Sequence, residues 1–85
     1  MLELNSSLTI YEVEAMQDQF LSLLGDDTII IDCSALQKID MSGLQLLVSL
    51  KKSAHEMGKD FTMLNISDEI QANFDLSGMG TILGV

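Results

Sequence analysis

The chain has 85 residues, 47% of them hydrophobic and 20% charged, which is the composition of one small folded domain rather than a disordered segment. Four Lys, no Arg and 13 Asp plus Glu give a formal charge of −9, which argues against nucleic acid or an anionic membrane surface as a partner, since both attract clustered cations. A single Cys permits no internal disulfide and no paired-Cys metal site, and the opening Met1-Leu2-Glu3 lacks a basic start followed by an apolar stretch, so the expectation is a cytoplasmic domain without membrane insertion.

In chain order, Leu2 to Ile10 alternates weakly around Asn5-Ser6-Ser7 and reads as a short hairpin or one broken edge strand. Thr9-x-x-Glu12 matches a capping box, and Val13, Met16, Phe20, Leu23 and Leu24 follow at the spacing of one helical face, closed by Gly25-Asp26-Asp27. Thr28 to Cys33 is a short run of β-branched and apolar residues, predicted as a strand buried on both faces. Ser34 to Asp40 reads as a loop, and Ser42 opens a helix that runs to about Met57 and stops at Gly58. Its inferred core face is Gly43, Leu46, Leu47, Leu50, Ala54 and Met57, all within about 60–70° of one direction. Asp60 to Asn65 alternates as a strand. Ser67 caps a last helix with Ile70, Phe74 and Leu76 inward, ended by Gly78, and Ile82 to Val85 is predicted as a final short strand. Strands alternating with helices argue an α/β layer with parallel crossovers in a single domain spanning residues 1–85.

Most catalytic motifs are absent: no GxGxxG, no GKS/GKT, no HExxH, no G-x-S-x-G. His55 is expected on the surface, and Cys33, at the end of an apolar strand, is expected as a buried inert thiol. Asp32 and Asp40 both follow the central strand, where α/β sheets present their loops. Two carboxylates there either hold a metal or tie down the loop, and tying the loop is the stronger reading. A receiver domain needs an acidic pair after its first strand and a Lys after its last, and the chain offers neither. A small enzyme or nucleotide-binding domain built on Asp32, Asp40 and Ser42 would lack a Gly-rich loop, an Arg and a catalytic base. No catalytic residue, metal or cofactor is therefore expected.

The segment Ile29-Ile-Ile-Asp-Cys-Ser-Ala-Leu-Gln-Lys-Ile-Asp-Met-Ser-Gly-Leu-Gln-Leu-Leu47 carries the informative pattern: a strand ending in Asp, a loop, then Asp-x-Ser-Gly-Leu opening a helix. It resembles the STAS family, the anti-sigma factor antagonists and the related domains of sulphate transporters. The likeness extends back to Leu8-Thr9-Ile10 and on through Met57-Gly58-Lys59 and Ser67-x-x-Ile70-x-x-x-Phe74-x-x-x-Gly78. It implies a mixed, mostly parallel sheet with three helices packed mainly on one face. It also implies a regulatory protein-binding module, not an enzyme, that docks a serine kinase/anti-sigma factor or a chemotaxis kinase. In switching members the kinase phosphorylates a hydroxyl at the head of the second helix and so breaks the complex.

This sequence departs from that pattern at the acceptor itself, which is Met41. Ser42, one residue on, is either the helix cap or a shifted phosphorylation site. Leu44 and Val48 lie about 100–140° from the inferred core direction of their helix. Either they pack under the first or third helix, or they join Met41 in an exposed docking patch. The partner-binding residues expected are Asp40, Met41, Ser42, Gly43, Leu44 and Val48, with homo-oligomerisation possible because the chain stops at Val85 without the closing helix of many relatives. The alternative is an accessory STAS subunit of an ABC-type lipid transporter.

Overall fold

The structure is a computed structural model and describes all 85 residues. Its elements are β1 (Leu2–Glu3), β2 (Ser7–Leu8), α1 (Val13–Leu23), β3 (Thr28–Asp32), β4 (Lys38–Ile39), α2 (Met41–Glu56), β5 (Asp60–Leu64), α3 (Asp68–Ser77) and α4 (Gly80–Leu83). The expected α/β layer is present, with four helices rather than three and with every strand pairing parallel. A three-stranded sheet has the order β1-β3-β5, and β2 pairs with β4 in a separate two-stranded sheet.

The N-terminal segment is therefore not a hairpin. Its two halves pair with different partners, Leu2 with Ile31 and Leu8 with Ile39, so the Asn5-Ser6-Ser7 break hands the chain from one sheet to the other. The register sets Ile29 beside Phe61 and Ile31 beside Met63, which aligns one apolar face. Ile29 and Ile31 are fully buried, whereas Thr28, Thr62 and Leu64 on the opposite face are exposed and Ile30 is only partly covered. The expectation that β3 is buried on both faces is corrected: one face of the sheet carries the core and the other stays largely open.

The core is a single cluster in which Leu8, Ile29, Ile31, Cys33, Leu47, Ile70 and Phe74 are the most completely enclosed side chains. Helix α2 is its centre, packed against α1, α4, β4 and β5. That surrounding widens its buried arc to Gly43, Leu44, Leu47, Val48, Leu50 and Ala54. Leu46 is displaced to the margin of the core and Met57 is 54% exposed, both against expectation.

Helix ends follow their local chemistry. The Ser67 hydroxyl accepts from the Ile70 N–H (3.2 Å), and Gly78 takes a left-handed φ of 75°, so α3 begins and stops where its sequence directs. Leu76 is 88% exposed instead of inward, because the buried stripe of α3 is limited to Ile70 and Phe74. The predicted final strand is the short helix α4, whose Leu83 closes the core. No helix is long and apolar enough to cross a membrane.

Candidate functional site

The start of α2 is built around one carboxylate. Asp40 is the N-cap, with Oδ1 accepting from the Gly43 N–H (3.0 Å) and Oδ2 accepting from the Ile10 N–H (3.0 Å). Hydrogen bonds from Ile10 first and Gly43 second hold its carboxyl below the usual carboxylate range. Ser42 does not cap this helix, contrary to one of the two readings of its hydroxyl; it is the second helical residue and is partly buried.

Gly43 explains how the helix comes so close to the N-terminal segment. A Cβ at this position would overlap the Leu8 carbonyl oxygen and lie 2.9 Å from Ile39 Cγ1. Only a residue without a side chain lets α2 seat on β2 and β4, and that seating brings Ile10 within reach of Asp40.

The turn before α1 is equally fixed. Glu12 Oε1 accepts from the Thr9 N–H (2.9 Å) and from the Thr9 hydroxyl (2.8 Å), while Thr9 Oγ1 accepts from the Tyr11 N–H (3.3 Å). The reach-back half of the expected capping box is present. The forward half is replaced, since the Glu12 N–H donates to the Thr9 carbonyl instead and the helix starts one residue after Glu12. The result is a closed turn with Ile10 and Tyr11 at its tip.

The side chains displayed here are apolar: Ile10 is 62% exposed, Tyr11 88% and Met41 49%. Large exposed apolar residues held on a hydrogen-bonded frame are what a protein-docking surface requires, because little conformational freedom is lost on binding. Of the residues expected to bind a partner, the structure brings Asp40, Met41, Ser42 and Gly43 together at this corner. Leu44 and Val48 are corrected: at 5% and 8% exposure they pack in the core, as the first of their two readings had it. Ile10 and Tyr11 were missed. Ile10 was read as the end of a strand, and the signal that singles them out is an apolar pair inside a Thr-x-x-Glu turn, where nothing else needs it.

The second carboxylate after the central strand has a structural task. Asp32 Oδ1 accepts from the Ser34 N–H (2.9 Å) and from Asn65 Nδ2 (3.1 Å), and Asn65 ahead of Ser34 lowers its carboxyl. It clamps the loops that leave β3 and β5. Next to it, burial and then the Asp32 charge push the Cys33 thiol up to about 11, the state of an unreactive core cysteine. His55 is exposed in the last turn of α2.

A family model described as "Mlab, STAS domain" matches residues 1–84. No curated protein sequence gives a significant match. Among solved structures, the chain is similar to a sulfate transporter family protein from Wolinella succinogenes, with a TM-score of 0.79 at 18% identity over 96% of this chain and 68% of that one. It is also similar to the protein TM1081, with a TM-score of 0.76 at 22% identity over 95% and 67% of the two chains. A third is the Bacillus cell fate determinant SpoIIAA in its phosphorylated form, with a TM-score of 0.68 at 24% identity over 93% and 74%. At these identities the likeness establishes the fold.

Proposed function

The chain belongs to the STAS domain family, and from that premise we propose that it is a non-enzymatic, cytoplasmic regulatory module that docks a protein partner through the corner formed by Ile10, Tyr11 and the start of α2. The partner is a serine kinase/anti-sigma factor or a chemotaxis kinase. The observation that carries this reading is the Asp40 carboxylate, which ties Ile10 to the head of α2 and so presents Ile10, Tyr11 and Met41 on one rigid frame.

In this reading the phosphorylation switch is lost. Met41 has no hydroxyl. The Gly43 N–H at the head of α2 already serves Asp40, and a phosphate on Ser42 would add nearly two negative charges beside that carboxylate. The domain stays in its binding-competent form. Incubation with a cognate kinase and ATP is expected to leave the mass unchanged. A gain of about 80 Da that disappears in Ser42→Ala would overturn this part of the reading. Docking itself is tested by quantitative affinity capture with wild type, Tyr11→Ala and Met41→Asp. The same kinase is expected with wild type and lost with both variants, and its undiminished retention by both would refute the assigned corner.

The second reading is an accessory subunit of an ABC-type lipid transporter. A link to transport is suggested by the fold shared with a sulfate transporter family protein, and this reading needs no switch at Met41. Stable co-purification with an ATPase from solubilised membranes, and with no kinase, would select it.

A further inference from the structure

One cavity opens on the surface, and it lies away from the corner described above. It is a groove of about 270 Å³ between α1 and α2, lined by Gln17, Phe20, Leu21 and Leu24 on one side and by Leu46, Ser49, Leu50 and Ser53 on the other. Phe20 and Leu50 form a buried floor, Leu24 and Leu46 partly buried walls, and Leu21 a lip that is 65% exposed. The space is open and falls below the roughly 300–1,000 Å³ of small-molecule sites, so it suits side chains of a macromolecule better than an enclosed metabolite. Each wall contributes positions at i, i+3, i+4 and i+7. Two turns of helix, about 10 Å, therefore line each side, and this is the footprint in which a third helix seats a ridge.

The charge along the α1 flank of the groove is acidic. The chain has no cationic side chain before Lys38. Helix α1 carries Glu14 and Asp18, both exposed and both on the flank beyond Leu21. Past its end Asp26 and Asp27 share their turn with Lys59, whose Nζ donates to the Asp26 carbonyl (2.9 Å). Among the basic residues of α2, Lys51 Nζ sits over the Phe61 ring at 5.4 Å on the β5 side, and His55 lies on the side of the helix opposite the groove. Lys52, exposed on the flank beyond Ser49, is offset by the exposed Glu56 four residues on.

We propose that the α1–α2 groove is a docking site for an amphipathic helix of a partner protein whose apolar stripe is flanked by Lys or Arg. The apolar stripe fills the trough over Phe20 and Leu50, and the basic flank meets Glu14 and Asp18. This surface is separate from the Ile10–Tyr11–Met41 corner, and the proposal stands whether or not that corner binds a kinase.

The test is an amide-shift NMR titration of the whole chain with a synthetic amphipathic peptide of about 18 residues, Leu on one face and Lys on the other, and with its Glu-flanked counterpart. The Lys peptide is expected to give saturable shifts centred on Gln17, Leu21, Leu46, Ser49 and Ser53, weakened by added salt. The Glu peptide is expected to give none. Leu21→Asp adds negative charge while removing the apolar lip. A merely electrostatic attraction would strengthen, whereas seating in the groove predicts a loss of about tenfold or more in affinity; Met41→Asp is expected to change it less than about twofold. Shifts spread over the acidic surface, shifts centred on Tyr11 and Met41, equal binding of the Glu peptide, or insensitivity to Leu21→Asp would each overturn the proposal. So would groove shifts that grow with protein concentration in the absence of peptide, because a second copy would then be the occupant.

Discussion

Asp32 and Asp40 look alike in the sequence, as carboxylates that follow the same central strand, and both accept two hydrogen bonds that lower their carboxyl groups. Their surroundings divide them. Asp32 joins the Ser34 backbone and the Asn65 side chain, so it locks two loops over a buried cysteine. Asp40 joins the head of α2 to a turn whose tip is apolar and exposed. The same chemistry closes the molecule at one place and prepares a surface at the other. What a tied carboxylate does depends on the residues it fixes, and those arrive from a distant part of the chain.

The sharpest break of the comparison lies just behind Asp40. Leu44→Asp places a charge at a 5%-exposed position, with an expected cost of about 3–5 kcal/mol. Met41→Asp, three residues earlier on a 49%-exposed site, is expected within about 0.5 kcal/mol of wild type. Urea denaturation of the pair measures both, and similar midpoints would dissolve the division between core and display on α2. Next in size is Gly43→Ala. The added methyl overlaps the Leu8 carbonyl, and the strain is expected to cost about 1–3 kcal/mol. The amide of Ile10 should lose its protection from hydrogen exchange, while that of Ser34 at the Asp32 clamp keeps it. Equal loss at both would mean that the two carboxylate sites unfold as one unit.

Much of this was legible because it was local. The apolar faces of α1 and α3, the Ser67 cap and the Gly78 stop each depend on residues within a few positions of one another. The orientation of α2 was not, because periodicity finds an apolar stripe but not how many neighbours surround it. Contact with α1, α4, β4 and β5 turned the core side towards Leu44 and Val48 and left Met57 outside. The parallel pairings of Leu2 and Leu8 with separate sheets are long-range, and so is the bond from Ile10 to Asp40. The family pattern pointed to the Asp40–Gly43 segment. It said nothing of Tyr11, which acquires its place only when the two segments meet.

The Asp32 side can be probed through its neighbour. With its pKa raised to about 11 and no surface exposure, the Cys33 thiol is expected to resist a disulfide reagent at neutral pH in the folded chain and to react fully once unfolded in urea. Asp32→Ala removes the charge and frees the loop. Modification is then expected to speed up through local opening, whereas Asp40→Ala leaves the rate near wild type. Faster modification in the Asp40 variant alone would reverse the roles given to the two sites.

The smallest effect expected is also the most direct reading of the pair. Each carboxyl is lowered in the folded chain relative to the unfolded one, so each contributes stability that is complete above the ordinary carboxyl range and disappears as the pH falls through the lowered folded value. An acid titration followed by amide shifts should therefore show two independent reporters. The Ile10 and Gly43 amides are expected to move together with one midpoint, because both donate to Asp40, and the Ser34 amide with another, because it donates to Asp32. Asp40→Asn should abolish the first transition and leave the second in place. If Ile10 and Gly43 titrated with different midpoints, a single carboxylate would not be holding the two segments, and the frame under Tyr11 and Met41 would have to rest on packing at Gly43 alone.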